Sequence, residues 1–151
     1  MSPRLALLAA CLACAPAHAA PRPTTEAPAA PAGARPELND VYRDPKSLRR
    51  WRRNLEREGR EVHDRKADIL ADLSLKPGMV VADVGAGTGL YTLDLARAVG
   101  PTGRVLAVDI IPHFLRHIGD EAKRAGLTNV ALVQASADAL GLEPASVDLI
   151  Y

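Results

Sequence analysis

A doubly wound α/β sheet is the fold this sequence predicts, and three observations predict it. Apolar runs suited to buried parallel strands recur at Met79–Val84, Arg104–Asp109 and Asn129–Gln134, and VDLIY at 147–151 opens a fourth. Helix-like patterns separate these runs, so strand and helix alternate. Three glycines, Gly85, Gly87 and Gly89, follow the first strand, where such a sheet turns from strand into helix.

The elements follow in order. The chain opens MSPRLALLAACLACAPAHAA, with Arg4, an apolar run from Leu5 to Ala15, and then Ala17-His18-Ala19. A charged start, a short apolar stretch and a small-x-small site in that order read as an export leader. The expectation is cleavage after Ala19 and a periplasmic protein. The apolar run is too short to span a bilayer, which takes ~20 residues. Both cysteines, Cys11 and Cys14, lie inside the leader, and Leu8-Ala9-Ala10-Cys11 resembles a bacterial lipobox. The alternative is therefore a lipid anchor at Cys11 or Cys14. Without them the mature chain has neither a disulfide nor a thiol nucleophile.

Residues 20–40 are expected to be a linker. Its Ala20–Pro36 part holds five prolines and six alanines in 17 residues, with almost nothing to bury. Residues 41–151 are left as the folded domain.

Ten basic and five acidic residues fall between Arg43 and Lys66, including RRWRR at 49–53. Leu48, Trp51 and Leu55 recur at i, i+3 and i+7, one face of a helix. The arginines then take the solvated faces, interleaved with Glu56, Glu58 and Glu61, and no nucleic-acid partner is expected. A second helix is predicted from about Glu61 to Leu73, with Val62, Ile69, Leu70 and Leu73 on one side. Lys76-Pro77-Gly78 ends it.

After the first strand, Thr88–Val99 reads as a helix closed by Gly100-Pro101, and Pro112 opens another that reaches Ala125. The chain stops in what should be a central strand, so it reads as part of a longer protein, inactive in isolation.

The glycine turn is the strongest chemical signal. Gly85 permits the tight turn, Gly87 lets a ligand approach, and Gly89 lets helix pack on strand. N–H groups at the helix start favour a negative ligand group. A dinucleotide fingerprint needs its third glycine at position 90, which is Leu90. Asp109 ends the second strand, 24 residues after Gly85, where a carboxylate can accept two ribose hydroxyls. His113 and His117 stand four apart, but Phe114 follows the first and no third ligand is evident, so no metal is expected.

The pattern from Asp83 to Gly89, D-x-G-x-G-x-G, resembles motif I of class I methyltransferases that use S-adenosylmethionine. VVADVGAGTGLYTLDLARAVGPTGRVLAVDI, AGLTNVALVQ, Ala137-Asp138-Ala139 and Asp148-Leu149-Ile150-Tyr151 extend the similarity over about Arg57–Tyr151.

The resemblance implies a Rossmann-like domain with S-adenosyl-L-methionine as cofactor, transferring methyl to an unidentified acceptor. It implies that Gly85, Ala86, Gly87 and Gly89 line the methionine part and that Asp83 holds the loop near its amino group. Asp109 would then bind ribose, Ile110 would pack on adenine, and Ala137-Asp138 would reach the adenine amine. In this family the acceptor residues mostly follow the fourth strand, so no catalytic residue is named. Two rival classes are a nicotinamide-dependent oxidoreductase, which Leu90 argues against, and a non-catalytic cofactor-binding module.

Overall fold

A computed structural model describes residues 36–151; the leader, Cys11, Cys14 and the linker up to residue 35 lie outside the described residues. Two 3₁₀ turns, Pro36–Tyr42 and Pro45–Ser47, lead into α1 (Leu48–Leu55), α2 (Glu61–Asp64) and α3 (Lys66–Asp72). The alternation then begins: β1 (Val80–Val84), α4 (Thr92–Val99), β2 (Arg104–Asp109), α5 (Pro112–Arg124), β3 (Val130–Gln134) and β4 (Leu149–Ile150).

All pairings are parallel, in the order β3-β2-β1-β4. β1 and β2 are central and buried on both faces, which is why their sequences run apolar without alternation. On one face Val81 and Val105 pack with Leu95, Ala96 and Val99 of α4, and Ile69, Leu70 and Leu73 of the α3 region join them. Ala107 meets Leu115 and Ile118 of α5. On the other face Val80, Ala82, Leu106, Val108 and Val133 are covered by Ala135, Leu142 and Val147. Successive crossovers place α4 and α5 on one side as the chain moves out to β3. The chain then returns past β1 to pair β4 on its far side, so the order reverses between β1 and its neighbours.

The short β4 is anchored at both ends. Asp148 accepts from the Val80 N–H at 2.7 Å through Oδ2, and the Tyr151 N–H donates to Ala82 O at 2.8 Å.

Two helices differ from their sequence patterns. Thr88–Tyr91 are turns and α4 starts at Thr92, because Gly87 and Gly89 take φ of +55° and +86°, which no right-handed helix holds. The expected Glu61–Leu73 helix is two pieces that meet at Arg65, where φ is −101° and ψ is 19°. Val62 is exposed rather than on the packed side, and its carbonyl accepts from the Tyr91 hydroxyl. Lys66 Nζ pairs with Asp94 at 2.5 Å and donates to Leu90 O at 3.2 Å. Both pins tie the region to the start of α4, one on each side of the break. Among the described residues no helix is long and apolar enough to cross a membrane.

Candidate cofactor site

A cavity of about 410 Å³ opens at the carboxyl ends of β1 and β2, where ligands bind in open α/β sheets. Its floor is the glycine turn. Gly85 has φ of +72°, and a Cβ built on it would meet nothing within 4 Å, so its backbone faces open space. The Gly85 and Ala86 N–H groups both donate to Val108 O, at 2.8 and 3.1 Å, which fastens the turn to β2.

Asp109 forms the polar wall. It is 7% exposed, and both carboxylate oxygens are held: Oδ2 accepts from the Gly87 N–H at 2.8 Å and Oδ1 from the Ile111 N–H at 2.7 Å. A carboxylate offers about four lone-pair sites, so two remain for a ligand's hydroxyl pair. Gly87 lines the cavity, and its amide is spent on this clamp.

Ile110 lines the cavity beside Val84, Val108 and Phe114, an apolar wall suited to a flat ring. Gln134 Nε2 donates to Ile110 O at 2.8 Å and fixes that backbone.

Asp83 and Gly89 lie behind the wall. Asp83 is 4% exposed and accepts from Thr92 Oγ1 at 2.5 Å, joining the end of β1 to the first turn of α4. A Cβ on Gly89 would come within 2.9 Å of Ile118 Cγ1, so this glycine lets the turn pack on α5. The helix it accommodates is therefore not the one that follows it. Ala86 is buried in the same packing. Ala137 and Asp138 are exposed; Asp138 accepts from Ser136 Oγ at 2.6 Å, and Ser136 itself is on the cavity wall.

Three wall residues were not legible in the sequence. Asn39, Tyr42 and Leu55 come from the segment before the sheet and cover the cavity. Tyr42 packs on Trp51 with the rings tilted at 46° and centroids 4.4 Å apart, and meets Phe114 edge-on at 6.2 Å, while Leu55 lies against Gly87. His113, beneath this strap, is buried with no partner for Nε2 among the described residues. Burial and the nearby Arg116 keep its imidazole below its ordinary range. His117 is also lowered, by burial first and then by Arg52.

Burial pushes the Asp83 carboxyl up from 3.8 to about 6; Thr92 opposes this and the Asp109 charge adds to it. The folded state therefore keeps a proton that the unfolded chain has already lost. This contribution is complete below about pH 4 and is lost as pH rises through about 6, on the order of 3 kcal/mol. Asp83→Asn is expected to remove this fall. Urea unfolding at a series of pH values checks it; a variant whose stability falls between those values as steeply as the parent's contradicts the assignment.

Turn, buried acid and apolar wall line one cavity at the carboxyl ends of the strands of an open α/β sheet. A family model described as a methyltransferase domain matches residues 81–151. A demethylmenaquinone methyltransferase of Staphylococcus aureus (strain JH9) is 38% identical over 82 residues, covering 54% of this chain and 33% of that protein. The crystal structure of a SAM dependent methyltransferase from Aquifex aeolicus superposes with a TM-score of 0.60 at 29% identity. It covers 71% of this chain and 55% of that one. Over residues 81–151 the chain is similar to methyltransferases, among them one that depends on S-adenosylmethionine. The match spans about a third of the curated relative's length.

The residues present fit that cofactor: a cavity within the usual range for small ligands, a buried acid with free lone pairs, and an apolar wall.

Proposed function

We propose that the protein is an exported methyltransferase that transfers a methyl group from S-adenosylmethionine to an acceptor molecule. The observation that carries this is the cavity where the glycine turn and Asp109 meet at the carboxyl ends of β1 and β2. When bound, the cofactor supplies a methyl group already activated on a positively charged sulfur.

The chain's own work is placement. Asp109 receives the ribose hydroxyls, Ile110 and its apolar neighbours hold the ring, and Gly85 leaves room for the methionine part. Asp138, two residues past Ser136 on the wall, serves the adenine amine, with Ala137 beside it. The negative charge of Asp109, with that of Asp83 once ionised, favours a cationic ligand. Alignment of acceptor and methyl supplies most of the rate in such reactions. The likeness to the staphylococcal enzyme covers 33% of that protein, so it leaves the acceptor unassigned.

Export rests on the order of Arg4, the apolar run and Ala17-His18-Ala19. In this arrangement the linker stops before residue 36, because Pro36–Tyr42 is a 3₁₀ turn with Asn39 on the cavity wall, and the folded part takes in residues 36–40 of the expected 20–40 linker. The tests are separate. Full-length protein incubated with methyl-labelled S-adenosylmethionine and a cell extract should label a product and form an equal amount of S-adenosylhomocysteine. Cofactor consumption without a labelled product would count against transfer. Sequencing the mature N-terminus should find Ala20; a cytoplasmic chain that keeps Met1 would refute export.

A further inference from the structure

Residues 36–56 form a strap over the cavity, contributing Asn39, Tyr42 and Leu55 to its wall. Among the described residues, the hydrogen bonds and ion pairs of the strap stay within it or reach only the Arg60 guanidinium just after it. Packing is what seats it: Tyr42 meets the Phe114 ring on α5, and Leu55 lies against Gly87. The strap joins the rest of the chain through a turn at Gly59, where φ is +82° and an added Cβ would meet nothing within 4 Å. Such a turn has room to pivot.

Two histidines stand one turn apart on α5 beneath the strap. His113 is 6% exposed, its ring centroid is 4.8 Å from that of Phe114, and its Nε2 has no partner among the described residues. It faces Asp44 in the strap, Asp109 at the end of β2 and Arg116 on its own helix. The His117 side chain is 9% exposed and faces Arg52 and Glu56 of the strap, with Glu121 and Arg124 on α5. A charged imidazole needs water or a close partner, and the covered site supplies His113 with neither. The nearby carboxylates do not outweigh burial. Both rings are held below their ordinary range, by burial first, and then by Arg116 for His113 and Arg52 for His117.

We propose that His113 and His117 form a pH-sensitive latch: as neutral rings they let the strap close the cavity, and once protonated they release it. The closed strap disfavours both protons, whereas an open strap exposes imidazoles that titrate near their ordinary value of about 6.5. The open form then binds more protons, so closure is favoured above about pH 7 and weakens as pH falls through about 6.5. Only packing opposes the release, because no hydrogen bond or ion pair among the described residues runs from the strap to the sheet or to α5. Protonation of clustered histidines moves packed elements apart in this way. The movement stands on the histidines and the packing alone, while its effect on cofactor binding rests on the methyltransferase reading.

Trp51 is the only tryptophan in the chain, and it sits half-buried in the strap beside Tyr42, so its fluorescence reports the strap. In full-length protein without cofactor, quenching of Trp51 by acrylamide should rise at least roughly twofold from about pH 8 to about pH 5.5, with circular dichroism unchanged. The H113M/H117M variant replaces both rings with flexible apolar side chains that fill the same gaps, and its quenching should stay flat. H113M alone, the milder change, should show a smaller rise than the parent. Asp83 also titrates at about 6 but lies behind the cavity wall, so Asp83→Asn should keep the full rise. A parent whose quenching ignores pH, a double variant that follows the parent, or an Asp83→Asn protein that loses the rise would overturn the latch. The quenching is read without cofactor, so its outcome is separate from that of the methyltransferase reading.

Discussion

Asp109→Ala weakens binding of S-adenosylhomocysteine by roughly tenfold to a hundredfold, the expected cost of unpairing buried polar groups, about 1–3 kcal/mol. Two losses combine. The ligand's hydroxyls lose their acceptor, and the Gly87 and Ile111 N–H groups lose Oδ2 and Oδ1. The second loss also loosens the turn that forms the floor of the cavity. Asp138→Ala is a useful comparison, because Asp138 is exposed and bonded only to Ser136 among the described residues. Its effect should be smaller. Titration calorimetry of both variants decides: an Asp109→Ala protein that binds like the parent would remove the acid from the site.

Gly103→Ala destabilises the fold by about 3 kcal/mol, at the upper end of ordinary overpacking costs. The added Cβ would stand 2.6 Å from Val99 Cβ, 2.6 Å from Val99 O and 2.7 Å from Met79 O. Val99 is fully buried, and two of these three atoms are backbone. Those same carbonyls accept from the Gly78 and Arg104 N–H groups at 2.9 Å, so yielding would break the junction between α4 and β2. Gly126→Ala has φ of +70° but nothing within 4 Å of its Cβ. It should cost only the left-handed backbone strain, about 1–2 kcal/mol. Urea melts of the two variants separate crowding from strain; equal midpoints would contradict the packing at Gly103.

The sheet was legible because its strands are unusual in being apolar on both sides. Val80–Val84 and Arg104–Asp109 are buried between layers, so the sequence pattern and the burial agree almost residue by residue. The glycine turn and Asp109 were legible for a different reason: each must sit at a strand's end for its chemistry. Contacts between distant segments were not legible. Tyr42 and Leu55 reach the cavity across thirty or more residues of sequence, and no local period encodes such a meeting. The break at Arg65 has the same origin, since its flanking pins run to Tyr91, Leu90 and Asp94. The arginines of α1 are exposed, as their spacing suggests, and only Glu61 differs, since it pairs with Arg65 and not with them.

Cofactor choice tests the account most directly. In titration calorimetry the protein should bind S-adenosylhomocysteine with measurable heat and give none with NADH under the same conditions. Saturable NADH binding together with no response to S-adenosylhomocysteine or S-adenosylmethionine would contradict the account.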